Sequence, residues 1–245
     1  MPISAVTENL IQEGIFFDGS SIPGWKAIHE SDMILIPDLT RTMVDQFSSQ
    51  PTTIVFCDVH DPVSRLPYDR DPRSLAKRAQ AYLLESGIAD NACFGAEPEF
   101  FIFDNVSFDS STATSFYELA SDEFPQANGQ SVDTSNHGHR PLTKGGYIHV
   151  GPKDSLCDLR AEMVTTMADF GLVMEKHHHE VAPAQHEIGV KYASLLDAAD
   201  GLQVYKYVVR NVAHSYGKTA TFMPKPVYGD NRSEEHTSEL QSLAC

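Results

Sequence analysis

The stretch Cys93-Phe94-Gly95-Ala96-Glu97-Pro98-Glu99-Phe100-Phe101-Ile102-Phe103-Asp104 decides how most of this chain folds. It is apolar and aromatic and is closed by Asp104-Asn105, so it reads as one buried strand. Side chains on a strand alternate between faces, which puts Glu97 and Glu99 on the same side, with Phe101 and Phe103 continuing that side. Two carboxylates on an apolar wall repel each other unless a cation lies between them or one is protonated. A divalent metal is the simplest resolution. An edge strand with two solvated glutamates and Pro98 as the edge marker accounts for the same residues, and this stretch alone does not choose between the two.

Further along, Glu175-Lys176-His177-His178-His179-Glu180-Val181-Ala182-Pro183-Ala184-Gln185-His186-Glu187 is a second segment rich in metal-binding side chains. Pro183 argues against a continuous helix or central strand. Glu180 and Glu187 are an odd number of residues apart, so an uninterrupted strand would send them to opposite faces, whereas a bend at Pro183 brings them together. The three consecutive histidines alternate faces and so do not all ligate one ion.

Around these stretches the chain reads as two domains. Residues 1–68 form a small β-rich unit with short strands at Ile15 to Phe17, Met33 to Pro37 and Thr53 to Asp58, separated by turns such as Asp18-Gly19-Ser20-Ser21. Residues 69–231 form the second domain. It opens with a helix capped by Asp71, with Pro72 in its first turn, Leu75, Ala79, Tyr82 and Leu83 as its apolar stripe, and Gly87 as its stop. Asn105 to Pro141 is a polar excursion with room for a hairpin, and Lys144 to Gly151 reads as a strand entered through a glycine pair. Helices are expected from Ser155 to Phe170 and from Ser194 to Tyr216, followed by a strand starting at Thr219. This order predicts an α+β fold with a mainly antiparallel sheet.

The chain carries 18 basic and 34 acidic residues, a formal charge of −16, with no Lys/Arg-rich run. That field disfavours nucleic acid and anionic membranes as partners and favours cations. Cysteines at 57, 93, 157 and 245 form no C-x-x-C pair and suit a reducing, cytoplasmic setting. No apolar run reaches membrane-spanning length. Glutamates 97, 99, 180 and 187 with neighbouring imidazoles suit Mg2+ or Mn2+ better than zinc. A cluster of that size exceeds the needs of one ion, and two ions with open positions for phosphate oxygens suit phosphoryl transfer. The chain lacks G-x-x-x-x-G-K-[ST], G-x-G-x-x-G and a kinase H-R-D, so any nucleotide is held by other means.

Five motifs together carry a resemblance: Phe17-Asp18-Gly19-Ser20-Ser21-Ile22-Pro23-Gly24-Trp25-Lys26; Gly95-Ala96-Glu97-Pro98-Glu99-Phe100-Phe101; Lys144-Gly145-Gly146-Tyr147; His178-His179-Glu180-Val181-Ala182-Pro183 with Glu187-Ile188; and Thr221-Phe222-Met223-Pro224-Lys225-Pro226. In order and spacing they resemble the motifs of bacterial type I glutamine synthetase. The resemblance implies a β-grasp-like N-terminal domain, a catalytic α/β domain with a curved, mainly antiparallel sheet, and a dodecameric homo-oligomer. It implies ATP-dependent joining of ammonium to the γ-carboxylate of L-glutamate through γ-glutamyl phosphate, with two or more Mg2+ or Mn2+ ions per site.

By the same resemblance, Glu99, Glu180 and Glu187 match ligands of one metal and Glu97 a ligand of a second. Asp18, Ser21 and Glu180 match catalytic positions, with Asp18 reaching a neighbouring subunit's site. Glu175, His178 and Tyr192 fall in the nucleotide region, and Glu99, Glu180 and Asn231 at the glutamate. A γ-glutamyl-amine ligase of the same superfamily, or a non-catalytic metal-binding or subunit-interaction derivative, are the alternative readings. His149 departs from the family pattern. After Asn231 the family continues Gly-Ser-Gly-Met-His, whereas residues 232–245 resemble the translation of a sequencing-adapter oligonucleotide and are expected to be a non-native tail. The remaining family ligands lie beyond Asn231, so the chain as written is expected to hold about half of an active site and to be inactive alone.

Overall fold

The computed structural model describes residues 1–124 and 138–233, and divides into two compact units. The expected tail falls almost wholly outside the described residues, as does the middle of the polar excursion.

The first unit comprises Met1–Ala92 with Ser194–Asp200. A short helix, α1 (Glu8–Glu13), leads into β1 (Ile15–Asp18), β2 (Asp32–Asp45) and β3 (Thr52–His60), which form an antiparallel sheet in the order β1-β2-β3. All three expected strands are present, each longer than anticipated. The β2–β3 register breaks between Pro37 and Thr42, where proline interrupts the ladder.

Helix α2 (Pro72–Ser86) begins and ends as expected. Asp71 accepts from the amides of Arg73 and Ser74, and Gly87 closes the helix at a φ of +68°, a left-handed conformation that costs glycine least. Its buried face is not the expected one. Leu75 and Tyr82 are exposed, whereas Ser74 and Ala76 are buried. Charge sets this orientation: Arg73 bonds Asp38 at 2.6 Å, Asp58 at 2.5 Å and Asp200 at 3.1 Å, and Lys77 bonds Asp58 at 2.5 Å. A guanidinium with three carboxylate partners holds this face of the helix inward.

The second unit contains β4 (Cys93–Phe94), β5 (Glu99–Phe103), a hairpin of β6 (Asn105–Ser110) and β7 (Ser115–Ala120), α3 (Cys157–Asp169), β8 (Met174–His179) and β9 (Gln185–Val190). After β10 (Ala193–Ser194), helix α4 (Leu195–Ser215) crosses from the first unit into the second, and β11 (Thr219–Thr221) completes a four-stranded sheet in the order β11-β5-β9-β8. The pairs β11–β5, β5–β9 and β8–β9 are all antiparallel.

Alternation along β5 sends Phe100 and Ile102 to one side and Phe101 and Phe103 to the other, all essentially fully buried. Phe100 meets Tyr205 of α4 with ring centroids 6.1 Å apart, and Val204, Val208, Val209 and Val212 continue that buried helix face. Phe101 and Phe103 pack with Phe124, Ala182 and Ala184. Burying aromatic side chains on both faces stabilises this strand by about 1.5–3 kcal/mol per residue.

Two further expectations need correction. Cys93–Asp104 is not one strand, because residues 95–98 are irregular, so alternation does not pair Glu97 with Glu99. Nor is Lys144–Gly151 a strand. It runs in turns and attaches to the end of β8 through Gly146 N–H to the Val181 carbonyl (2.9 Å) and Ile148 N–H to the His179 carbonyl (3.0 Å). Positive φ angles at Lys144 (58°) and Ile148 (53°) break any extended run.

Candidate metal centre

Three strands place one row of side chains. Glu99 of β5 is the cross-strand partner of Glu187 on β9, and Glu187 is the partner of His178 on β8. Directly paired residues share a face, so these three side chains line up across the sheet. Pro183 supplies the fourth member. The chain turns between β8 and β9, the Glu180 amide bonds the Gln185 carbonyl at 2.8 Å, and Glu180 lies on the same side as His178. The bend anticipated at Pro183 is therefore a hairpin.

The ligand atoms of His178, Glu180 and Glu187 lie within 4.8 Å of one another. Nδ1 of His178 is 3.3 Å from Glu180 Oε1, and its Nε2 is 3.5 Å from Glu187 Oε2. Glu99 completes the row, with its Oε2 accepting from Gln185 Nε2 at 2.8 Å. Burial and the charges of Glu99 and Glu187 push the Glu180 carboxyl up to about 7, against the opposing bond from the Val181 amide. Carboxylates crowded in this way with one imidazole form the oxygen-rich donor set that a hard divalent cation fits.

Behind the row the alternating residues point to the other face. His179 is fully buried, with Nε2 2.9 Å from Glu123 Oε2 and Nδ1 2.6 Å from the Glu180 carbonyl oxygen. Its pKa is raised because the Glu123 contacts outweigh the lowering effect of burial. Glu123 is held well below the usual carboxylate range: burial alone would raise it, but the bond from His179, the nearby His186 and the Ser155 hydroxyl prevail. Asp154 grips the buried Arg160 at 2.8 and 2.5 Å, and Arg160 donates to His186 Nδ1 at 3.0 Å. Burial pushes the His186 pKa far down. Thus one histidine of the triplet joins the row while its neighbour serves the opposite face.

The other sequence-predicted residues fall elsewhere. Glu97 is exposed in the irregular segment before β5. Glu175 is exposed where the β8–β9 register slips by one residue, a bulge that re-aims its side chain. Tyr192 is half-exposed, with Lys191 Nζ 5.9 Å from its ring centroid. The Asn231 amide bonds Asp230 Oδ1 at 2.8 Å, and the same oxygen accepts from the Lys144 amide at 3.1 Å. In the first unit, Asp18 caps its own turn, accepting from the Ser20 amide (2.9 Å) and hydroxyl (2.6 Å) and the Ser21 hydroxyl (3.4 Å). The Ser20 bonds lead in keeping its carboxyl below the ordinary value. His149 lies with its ring 6.4 Å from that of His179.

Comparison with known proteins decides the family. A model described as the glutamine synthetase catalytic domain matches residues 69–244, and one described as the glutamine synthetase beta-Grasp domain matches residues 1–62. The chain belongs to the glutamine synthetase family. Among curated members, glutamine synthetase of Azospirillum brasilense is 53% identical over 234 residues, covering 96% of this chain and 50% of that protein. The Escherichia coli K12 enzyme is 49% identical over 237 residues, again with 96% and 50% coverage. Among solved structures, Plasmodium falciparum glutamine synthetase superposes with a TM-score of 0.88 at 27% identity, covering 95% of this chain and 46% of that one. The chain thus spans about half the length of the curated relatives it matches. Its fold is that of the family: a β-grasp N-terminal domain followed by helices and antiparallel sheet of the catalytic domain.

Proposed function

We propose that this chain carries one half of the catalytic site of an ATP-dependent ligase that joins ammonium to the γ-carboxylate of L-glutamate. The observation that supports this reading is the row Glu99, Glu187 and His178, with Glu180 beside it, on a family member's catalytic sheet. His178, Glu180 and Glu187 would hold a divalent cation, Mg2+ or Mn2+, and Glu97 would reach a second. Such cations neutralise charge on transferring phosphoryl groups and orient the reacting oxygens.

The chain's own residues supply the frame. Glu99 and Gln185 fix the floor of the row, and the apolar wall of Phe101 and Phe103 keeps water from its flank. Glutamate and ATP would meet above this row. The γ-carboxylate oxygen attacks the γ-phosphorus, the bond to the β–γ bridging oxygen breaks, and ADP leaves. Ammonia then displaces phosphate from γ-glutamyl phosphate to give glutamine. Asp18, with Ser20 and Ser21 on its turn, would take the proton from ammonium in a neighbouring copy of the chain, within a cytoplasmic homo-oligomer. Glu175, His178 and Tyr192 would face the nucleotide, and Asn231 the glutamate.

The test is isotopic. The full-length protein, given ATP, glutamate and 15N-ammonium, is expected to form 15N-amide glutamine and ADP in equal amounts. ATP turnover that does not depend on both glutamate and ammonium would contradict the proposal.

A further inference from the structure

The turn that carries Glu180 is closed by hydrogen bonds from each of its backbone donors. The Glu180 amide bonds the Gln185 carbonyl (2.8 Å), and the Val181 amide bonds Glu180 Oε2 (3.0 Å). The Ala182 amide bonds Gln185 Oε1 (3.0 Å), and Pro183 has no N–H. The Ala184 amide bonds Glu123 Oε2 (2.7 Å), and the Gln185 amide bonds the Ala182 carbonyl (3.1 Å). Every donor of the turn is therefore satisfied, and one acceptor, Glu123, comes from a distant part of the chain.

Glu123 touches both ends of this turn. Its Oε2 accepts from His179 Nε2 at the start and from the Ala184 amide at the finish, while Oε1 accepts from the Ser155 hydroxyl (2.7 Å) and amide (3.3 Å). All four contacts are donors, so a carboxylate fits where an amide would turn an NH2 against one pair. The His179 ring then grips the Glu180 carbonyl. Ala184 sits at a φ of +65°, a strained conformation for alanine that persists only when its surroundings impose it. Gly146 leaves room for this clamp, since a Cβ there would lie 2.5 Å from the Glu180 carbonyl oxygen and 2.7 Å from His179 Nδ1.

We infer that Glu123 is a positioning residue: through His179 and Ala184 it holds the Glu180–Gln185 turn in the geometry that lets His178, Glu180 and Glu187 share one cation. The inference rests on the metal reading above and adds a residue that touches none of the three candidate ligand side chains. Outer-shell partners of this kind typically govern metal affinity by about 10–100-fold.

The test uses the 245-residue chain and Mn2+ followed by electron paramagnetic resonance, together with amide hydrogen exchange and thermal unfolding without metal. Glu123→Gln is expected to speed exchange at Ala184 and to weaken Mn2+ binding by about 10–100-fold. His179→Ala is expected to act along the same path, so the double variant loses no more than the worse single one. Ser155→Ala, a milder change, shifts both readouts in the same direction and decides the matter if Glu123→Gln does not fold. Glu187→Gln reports on the metal reading itself. Unchanged Mn2+ affinity in Glu123→Gln, or in Ser155→Ala should that variant alone fold, overturns the inference and leaves the metal reading standing, provided Glu187→Gln loses binding. Absence of Mn2+ binding by the unaltered chain overturns both.

Discussion

Glu99 and Glu187 are direct cross-strand partners in an antiparallel pair, and both are buried. Like charges in that arrangement destabilise a sheet unless something else compensates. Their row continues to His178, and Glu180 enters from the adjoining turn. The site is therefore a property of strand register, and it can be tested one side chain at a time.

Removing a ligand should cost more than disturbing its support. Glu187→Gln keeps the volume of the side chain and removes its charge, and is expected to weaken Mn2+ binding by more than about 100-fold, beyond the outer-shell range. Isothermal titration of the chain with Mn2+ measures this, and a loss below tenfold would remove Glu187 from the ligand set.

Gly146 is held to glycine by close approach. Gly146→Ala places a methyl group against the Glu180 carbonyl and the His179 ring. Overpacking of this sort costs about 1–3 kcal/mol, so urea unfolding should show a loss of that size and Mn2+ affinity should fall with it. An unperturbed variant would mean that the Lys144–Gly151 segment does not support the turn.

In the first unit, Asp38 sets a pH window. Asp38 is pulled down to about 2, chiefly by the Thr40 hydroxyl and, against the cost of burial, by Arg73 and the Thr40 amide. A depressed carboxylate contributes stability that is present above its unfolded value of 3.8 and lost as pH falls toward 2. Unfolding midpoints should drop across that interval, and less so in Asp38→Asn. Arg73→Met takes the shared guanidinium from Asp38, Asp58 and Asp200, although Lys77 still reaches Asp58, and should cost about 3–5 kcal/mol at neutral pH. A cost under about 1 kcal/mol, the range of surface pairs, would show that the network is solvated and weak.

Much of this was legible in the sequence, and for identifiable reasons. Pro183 announced the bend that gathers Glu180 and Glu187, and alternation correctly divided His178 from His179. Caps at Asp71 and Gly87 fixed α2. Alternation failed at Glu97, because the strand begins only at Glu99 and a period-two argument holds only within continuous extended chain. The stripe on α2 misled because Arg73 found carboxylates brought near by the sheet, a long-range pairing that periodicity does not register.

Arg160 did leave a trace: it sits in the apolar spacing of Leu159, Met163 and Met167, and a charge on such a face signals a buried partner, here Asp154. Glu123 left none. It lies in a polar segment whose composition resembles solvent-exposed loop, and only the fold brings it to His179.

The central claim is that one cation sits against His178, Glu180 and Glu187. Crystals soaked in Mn2+ and measured for anomalous scattering test it most directly. The account predicts an anomalous peak bounded by a His178 ring nitrogen and by carboxylate oxygens of Glu180 and Glu187, within ordinary coordination distance of each. A peak bound only by other residues, or none at concentrations that saturate binding in solution, would contradict it.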